Sequence, residues 1–396
     1  MPRTQNPPAW RIVDVTTPAG LDLDEATATW AQAGLSDIQR CDELETWGWD
    51  DRWAPLFVWL PVLQDQMYAS RRLSVAVRDV PAPRADDVLG AAVVTMPSEG
   101  NAHLADAYLV VRPGERRAGV GAALLAYVEQ KAVMAGRTSL IIRSAQAPET
   151  APGPSALQAP TGAGCVSKDA PSTSFALHHG YTLEQVERYS ILDLAAAPDT
   201  RRTANALGTA AAQAAGDDYL LHVWHDTVPD QWCDALATLM ARMNTDAPSG
   251  AVEIDQEPWD GSRVRAYCEQ SANAGQHLTI TAAEHTPSAT LAAYTILVYP
   301  MPEVPFAFQE DTLVHAHHRG RRLGMLVKTT NLQALLDRRP SLERIHTTNA
   351  QENEFMLAIN VALGFTPAGV HAVWHKRAQD ATKPLPVASA PSNTSS

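Results

Sequence analysis

Hydrophobic positions along the chain form two similar series, one in each half. In the first half, apolar and β-branched runs at residues 88–97, 103–111 and 138–144 predict three strands. Between the second and third strands, apolar side chains at residues 122–136 recur at helical spacing. This half therefore predicts the order strand, strand, helix, strand.

The second half repeats that order. Runs at 291–300, 306–314 and 343–349 predict strands, and residues 325–340 predict the intervening helix. On this helix the spacing excludes Lys328 from the apolar face. Two units of one design in a single chain indicate a duplication.

Each unit ends with a glycine followed by an aromatic residue. The closing glycines are Gly180 and Gly364. Gly180 lies 59 positions after Gly121, which begins the helix of the first unit, whereas Gly364 lies 40 positions after the equivalent Gly324. A stretch rich in Pro, Gly and Ser at 145–174 lies in the longer interval. We interpret it as an insertion in the first copy.

These patterns predict two domains joined by a linker. The first covers residues 8–194 and includes the flexible insertion at 145–174. An Ala-rich, polar stretch at 195–217 is the predicted linker, and the second domain covers residues 218–376. Residues 377–396 are predicted to be a disordered tail.

Composition narrows the classes of function. A net charge of −13 disfavours nucleic acid and anionic membranes as partners, because both bind through phosphate neutralisation. No run approaches the roughly 18 apolar residues of a membrane span, and the N-terminus lacks the apolar core of a signal peptide, so a cytoplasmic protein is expected. The four cysteines form no CxxC pair.

Two turns with glycines, at residues 112–121 and 315–324, connect a strand to a helix. Such a turn directs several backbone N–H groups and the positive end of the helix at one point, which suits a phosphate. Glycine lets a ligand approach the backbone, and arginines add charge-assisted hydrogen bonds. The sequence GK[ST] of a P-loop is missing, and the glycine spacing fits a dinucleotide-binding fingerprint poorly.

Both turns resemble the acetyl-CoA motif of the GNAT N-acetyltransferase superfamily, a strand followed by [RQ]-x-x-G-x-[GA] at the start of a helix. The first copy has Val111, Arg116, Arg117, Gly119, Val120 and Gly121. The second copy has Val314, His315, Arg319, Gly320, Arg321, Arg322, Leu323 and Gly324. Arg322 departs from the motif, since it replaces the first glycine. The resemblance implies acyl-CoA binding and a mixed α/β fold of two GNAT-like domains, each a twisted mixed β-sheet flanked by helices.

The second half resembles more specifically the tandem-domain GNAT proteins of mycothiol-synthase-like architecture. The residues that carry this resemblance are 240–248, 258–260, 348–353 and 360–367. It implies an acyl-CoA-dependent N-acyltransferase, with acetyl-CoA as the expected donor and a primary amine of a small molecule or peptide as the acceptor.

In this family the strand before the turn supplies an N–H to the thioester carbonyl, here from Val314 or His315. Glu310 and Asp311 precede that turn, and strand alternation predicts that they point to opposite faces, so that one is the general base. An exposed strand carboxylate without a catalytic role is the alternative for each.

A later helix in the family carries an Asn that holds the CoA arm and a Tyr that protonates the sulfur. Asn353 matches the Asn, whereas Asn360 replaces the Tyr and cannot act as an acid. The resemblance thus leaves the proton donor open. In the first half both positions depart from the family, and Ala176 replaces the Tyr.

Two further residues are candidates for contact with the substrate. Asp246 lies near a helix end and is a candidate for the acceptor amine, with an ordinary Asp before a proline turn as the alternative. Trp259 is a candidate for an acceptor pocket, with core packing as the alternative. No metal site is expected, because the histidines around His315 have no carboxylate or cysteine at ligand spacing.

Catalysis is expected in the second half, although the first half carries the more regular phosphate turn. A non-catalytic acyl-CoA-binding scaffold or regulatory protein is the alternative, because the Tyr is missing from both halves.

Overall fold

The computed structural model of the protein describes residues 9–18, 20, 26–197, 199–246, 248, 250 and 252–378. The predicted tail lies outside the described residues from position 379 onward. Within the described ranges, no helix combines the length and apolar character that crossing a membrane requires.

The strands and helices follow each other in two matching series. The first comprises β1 (Trp10–Val15), α1 (Ala26–Trp47), α2 (Leu56–Gln64), β2 (Ala69–Arg78), β3 (Val88–Pro97), β4 (Leu104–Val111), α3 (Val120–Met134), β5 (Ser139–Gln146), β6 (Ala156–Gln158), β7 (Cys165–Ser167), α4 (Pro171–His178) and β8 (Thr182–Asp193). The second comprises α5 (Thr200–Ala215), β9 (Tyr219–His225), α6 (Asp230–Asp246), α7 (Gly261–Asn273), β10 (Gln276–His285), β11 (Thr290–Pro300), β12 (Phe306–Val314), α8 (Leu323–Arg338), β13 (Arg344–Ala350), α9 (Glu354–Leu363) and β14 (Thr366–Arg377).

One continuous sheet joins the two series. Its strand order is β1-β2-β3-β4-β5-β14-β8-β13-β12-β11-β10-β9. The last strand of each series therefore crosses to the other, because β14 pairs with β5 and β8 pairs with β13. The fold thus consists of two units that exchange their final strands, and each unit completes the sheet of the other.

Each unit contains one parallel pair of strands that separates along its length. In the first unit β4 pairs with β5 only from Leu104 to Ala107, although β4 continues to Val111. In the second unit β12 pairs with β13 only from Phe306 to Gln309, although β12 continues to Val314. Beyond these points the strands diverge and leave a wedge in the sheet.

The segment at 195–217, predicted as a linker, contains α5. Its buried Ala204, Ala211 and Ala215 belong to the same hydrophobic core as α8. A Cβ on Gly208 would come within 2.9 Å of Thr329 Oγ1, so the two helices are in close contact. Alanine favours helix and allows this approach, which explains why a stretch that reads as a connector packs as a helix. The domain boundaries themselves stay predictions.

The packing of α5 also explains why Lys328 is buried. We expected its side chain outside the apolar face of the helix, but Lys328 is 2 % exposed. Because α8 lies between the sheet and α5, most of its positions are buried and the helix lacks an ordinary solvent-facing side. The expectation for Lys328 was therefore wrong.

The insertion at 145–174 contains the short antiparallel hairpin of β6 and β7. Its Leu157, Ala159 and Val166 pack in the same core as Leu109 and Val111 of β4. The corresponding interval of the second unit has no such hairpin among its described residues. The insertion thus adds side chains to the core beside the first wedge.

Candidate active site

The wedge between β12 and β13 opens into a cleft of about 430 Å³. Its walls come from both units of the fold. The residues that line it are Arg52, Tyr189, Met243, Gln276, Phe308, Gln309, Glu310, Asp311, Thr312, Lys328, His346, Thr347, Thr348, Asn349, Asn353 and Met356. Most of these side chains are polar or charged, so the cleft suits a polar ligand.

The turn before α8 has the same left-handed positions as the turn before α3. Gly320 and Arg322 have φ of 82° and 57°, and at the equivalent positions of the first unit Arg117 and Gly119 have 66° and 86°. Arg322 thus adopts the left-handed conformation in which the other unit has glycine, and it caps the N-terminus of α8 as Gly119 caps α3. The departure from the motif therefore leaves the path of the backbone unchanged.

The side chains in this turn divide into exposed and buried sets. Arg321 and Arg322 are exposed beside the helix start, and so is Arg117 in the first unit. Leu323 and Val120 are each 1 % exposed and belong to the cores, so only their backbone can face a ligand.

The glycines that begin the two helices lie close to neighbouring side chains. A Cβ on Gly324 would lie 3.1 Å from Ile359 Cδ1, and one on Gly121 would lie 3.5 Å from Phe175 Cε2. The side chain that faces the glycine thus comes from α9 in one unit and from α4 in the other.

Arg319 fixes the turn from within the protein. Its Nε donates to the carbonyl of Val314 at 3.2 Å, and its guanidinium lies 2.8 Å from Asp246 Oδ2. Arg116 repeats this in the first unit, where it donates to Val111 and pairs with Asp42 and Glu45 of α1. Each arginine thus connects its turn to the preceding strand and to a helix distant in sequence. These contacts position the turn.

Asp246, predicted to contact the substrate, is thus bound to Arg319. Trp259 also lies away from the cleft walls, in the core of α6 and α7 with Arg263 over its ring at 4.6 Å. The structure does not bring either residue together with Glu310. A contact of either residue with the acceptor stays an untested prediction.

The backbone leaves one of the two predicted N–H donors facing the wedge. His315 donates its N–H to the carbonyl of Ala292 in β11, at 2.8 Å. Because alternate N–H groups of a strand point to opposite edges, the N–H of Val314 points away from β11 and toward β13. The same pattern holds in the first unit, where Arg112 donates to Leu89. The N–H of Val314, and not that of His315, therefore points toward the wedge.

Glu310 and Asp311 lie at a β-bulge. The register between β11 and β12 shifts after Thr295, so that two residues of β12 face one residue of its partner. The side chain of Gln309 holds this irregularity, since its Nε2 donates to Thr295 Oγ1 and to the carbonyls of Ile296 and Glu310. The predicted alternation fails here, and both carboxylates line one cleft.

The environment of the two carboxylates disfavours their charged forms. Burial, followed by the charge of Asp311, raises the pKa of Glu310 to about 6. The side chain of Glu310 is open to water within the cleft, although protein surrounds it on most sides. Burial also raises the pKa of Asp311, against a hydrogen bond that the hydroxyl of Tyr294 donates to it at 3.2 Å. Glu310 is thus able to accept a proton near neutral pH.

Lys328 lines the cleft, and no carboxylate among the described residues forms an ion pair with it. Its Nζ lies 5.8 Å from the centre of the Phe365 ring. Burial lowers the pKa of Lys328 to about 7, so that a substantial fraction of this amine is neutral at pH 7.

The two asparagines predicted on the later helix have different surroundings. Asn353 lines the cleft and caps α9, because its side chain accepts the N–H of Met356 at 3.2 Å. Asn360 is 2 % exposed, and its Nδ2 donates to Asn349 Oδ1 at 2.6 Å. Asn360 therefore contacts a cleft residue and is not itself part of the wall.

Sequence reasoning missed a buried network that crosses between the units. Asp51, which follows α1, accepts hydrogen bonds from Arg344 at 2.7 and 3.1 Å and from His346 Nε2 at 2.9 Å. Because the pKa of Asp51 is held below its usual value, its carboxylate is charged and Nε2 carries the proton. The hydroxyl of Tyr189 then donates to His346 Nδ1 at 2.7 Å. No local pattern marks these residues, since they meet only through the exchange of strands.

The wedge of the first unit has different contents. Asp106, in the paired part of β4, forms an ion pair with Arg143, which follows the last paired residue of β5. The β3 and β4 pair keeps its register throughout, so the bulge of the second unit has no counterpart there. The ion pair and the hairpin of the insertion thus distinguish the surroundings of the first wedge from those of the second.

Comparisons with known proteins agree with this architecture. Residues 35–148 match the acetyltransferase (GNAT) family. No curated protein sequence matches the chain. The match covers the unit whose turn has Gly119, whereas the unit with the open cleft has Arg322 at that position.

Solved structures resemble the chain over almost its full length. A tandem GNAT protein from the clavulanic acid biosynthesis pathway, solved without acetyl-CoA, is 24 % identical with a TM-score of 0.67, over 93 % of this chain and 98 % of that one. A GCN5-related N-acetyltransferase from Sphaerobacter thermophilus is 11 % identical with a TM-score of 0.53, over 93 % and 96 %. The predicted fold of two GNAT-like units is thereby confirmed.

Proposed function

We propose that this tandem GNAT-fold protein is an N-acyltransferase that uses acetyl-CoA and acts on a primary amine of a small molecule or peptide. The observation that carries the proposal is the open wedge of the second unit, which has a basic phosphate-type turn at one end and two carboxylates at a bulge within it. The second unit is accordingly the catalytic one.

The residues present fit a pyrophosphate and a thioester. The first N–H groups of α8 have no acceptor within the helix, and the exposed Arg321 and Arg322 add positive charge beside them. The N–H that Val314 directs toward the wedge suits the thioester carbonyl, where developing negative charge needs a donor. Asn353, at the start of α9 and in the cleft wall, would hold the arm between these two points.

Glu310 is the general base in this proposal. An acceptor amine must lose a proton as it forms the new amide bond, and a carboxylate with a pKa of about 6 takes it up at neutral pH. Asp311 keeps that pKa high through its negative charge. Asn360 lacks an ionisable proton, so the departing sulfur takes its proton from water or from another group.

A non-catalytic acyl-CoA-binding protein is the second candidate. It is favoured by the absence of the expected Tyr at both equivalent positions, where Ala176 and Asn360 are found. In that case the wedge would hold acyl-CoA without turnover.

Two variants assign the cofactor site. Gly324→Glu introduces a side chain and a negative charge at the start of α8, and Gly121→Glu does the same at α3. Acetyl-CoA binding is measured by calorimetry, with circular dichroism as the check on folding. We expect Gly324→Glu to abolish binding and Gly121→Glu to retain it. If the folded Gly324→Glu variant binds as tightly as the wild type, the assignment to the second unit is wrong.

Turnover separates the enzyme from the binding protein. Release of free thiol from acetyl-CoA is followed with a panel of primary amines and amino-terminal peptides. Amine-dependent thiol release supports the acyltransferase. Tight acetyl-CoA binding without release in the presence of every amine supports the second candidate.

A further inference from the structure

Arg52 brings a positive charge from the first unit into the cleft of the second. It lies on the segment that joins α1 to α2 and forms part of the cleft wall. Its guanidinium carbon is 5.0 Å from the centre of the Tyr189 ring. A planar guanidinium stacked on an aromatic ring keeps its N–H groups free at the edges.

Arg52 has a weak partner within the protein. Its Nε lies 3.9 Å from Glu43 Oε2, beyond hydrogen-bond distance. That oxygen of Glu43 is buried and has no hydrogen-bond partner in the described part of the chain. Burial also raises the pKa of Glu43 to about 7, which reduces its charge at neutral pH. The guanidinium therefore has hydrogen-bonding capacity left for a ligand.

The residues on both sides of Arg52 are anchored. Asp51 is fixed by Arg344 and His346, and Trp53 donates its indole N–H to Ser36 Oγ at 2.8 Å. The ring under the guanidinium is fixed as well, because Tyr189 is fully buried and bonded to His346. The buried network between the units thus serves to position Arg52.

The opposite charge lies elsewhere on the cleft wall. Glu310 and Asp311 project from the bulge of β12, and the charge of Arg52 acts to lower the pKa of Glu310. The cleft consequently offers a cation and a pair of carboxylates to one bound molecule. That arrangement complements a ligand that carries both an amine and an anion.

The phosphates of CoA are a poor occupant for Arg52. His346 and Arg344 reach Asp51 from one face of β13, and Ile345 between them packs on the other face, in the core that contains α8. The phosphate-type turn belongs to the face of α8. Arg52 therefore lies at the face of the sheet opposite to the phosphate-type turn.

Resting on the function proposed above, we propose that the acceptor is an amino acid type of molecule, whose carboxylate binds Arg52 while its amine lies at Glu310 and Asp311. A planar carboxylate matches the paired N–H groups of a guanidinium. A doubly charged phosphate ester is disfavoured by the two carboxylates in the same cleft.

The test compares amines that differ only in this anion. Glycine, β-alanine and γ-aminobutyrate are each compared with their amides, and phosphoethanolamine represents the phosphate esters. The wild type is expected to show a kcat/KM at least tenfold higher for one or more of the acids than for the matching amide. Arg52→Gln should lower kcat/KM roughly 10- to 100-fold for the acids, as for a lost charge-assisted contact, and much less for the amides, which feel only its effect on Glu310. Arg52→Lys should recover part of the loss.

Arg40→Gln is the matched control. Arg40 lies on α1, pairs with Asp50 at 2.6 Å, stacks over Trp53 at 4.8 Å and is absent from the cleft wall. The Arg40→Gln variant should keep the wild-type preference for acids over amides. Equal kcat/KM for acids and amides in the wild type, or an equal loss for both in Arg52→Gln, overturns the proposal, as does a preference for phosphoethanolamine.

A binding measurement separates this proposal from the proposed function. Calorimetry with the N-acetyl derivatives of the same three acids and their amides, without CoA, should show that the favoured acid binds more tightly and that Arg52→Gln abolishes the difference. Selective binding of the acids without any turnover would overturn the acyltransferase and retain the carboxylate site. Turnover of acids and amides at equal rates would retain the acyltransferase and overturn the carboxylate site.

Discussion

Replacing Lys328 with methionine is expected to stabilise the protein at neutral pH. Lys328 is 2 % exposed, and burial lowers its pKa to about 7 from an ordinary value of 10.5. That difference corresponds to roughly 4 to 5 kcal/mol of unfolding free energy, because each pH unit is worth about 1.4 kcal/mol. Methionine keeps a flexible chain against Phe365 and removes the cost of placing an ammonium group there.

The pH dependence gives the sign of the effect. Between about pH 7 and 10.5 the unfolded lysine holds a proton that the folded one lacks, so the wild type gains stability as the pH rises. The penalty is complete below pH 7 and partly relieved at pH 9. The advantage of Lys328→Met should therefore be about 4 to 5 kcal/mol at pH 6 and about 2 kcal/mol at pH 9.

Urea unfolding followed by tryptophan fluorescence at both pH values measures this difference. Lys376→Met is the control, since Lys376 is also buried but contacts both carboxylate oxygens of Glu129, at 3.0 and 3.1 Å. Its loss leaves a buried carboxylate without its cation and should cost about 3 kcal/mol. An advantage of Lys328→Met that is equal at pH 6 and pH 9, or a loss of stability at pH 6, would refute the reasoning.

Three further substitutions test the cleft and its turn. Glu310→Gln should lower kcat/KM by about 10² to 10⁴. In the wild type, kcat/KM should fall as the pH drops through about 6, because only the carboxylate form of Glu310 accepts a proton. A Glu310→Gln variant that keeps this fall at low pH, the acid limb of the profile, would exclude Glu310 as the base. Asp311→Asn removes the neighbouring negative charge and should shift the acid limb to lower pH, whereas a shift to higher pH would contradict the assigned coupling. Arg322 has a left-handed backbone at φ 57°, which glycine adopts without strain. Arg322→Gly should therefore raise the free energy of unfolding in urea by up to ~1 kcal/mol. A lower free energy of unfolding would contradict strain at this position.

The sequence predicted those parts of the fold that depend on neighbouring residues. The strand, turn and helix units at 103–136 and 306–340 follow from local periodicity and glycine placement, and the structure contains both. The resemblance to the family motif before Gly364 identified Asn353, and it lies in the cleft wall. These features are set within a few turns of helix or strand, where side-chain periodicity is informative.

The remaining features depend on contacts between distant segments. Arg52 lies almost 300 positions from His346 in the sequence, and the two come together only because β8 and β14 exchange places. The bulge at Glu310 is a local break in alternation that a regular strand pattern cannot show. Lys328 is buried because α5 covers α8, and that helix looked like a linker. Tertiary packing decided each of these cases.

Positions that destabilise the second unit relative to the first favour the proposal that the second unit is the active copy. At position 125 the first unit has a buried leucine where the second has Lys328. Its β3 and β4 ladder is regular where β12 is bulged. A buried amine without an ion-pair partner and a break in strand pairing each reduce stability, and such features concentrate where a protein uses them. The unit that departs most from a stable design is thus the one with the open cleft, and the regular unit supplies the strand and the arginine that complete it.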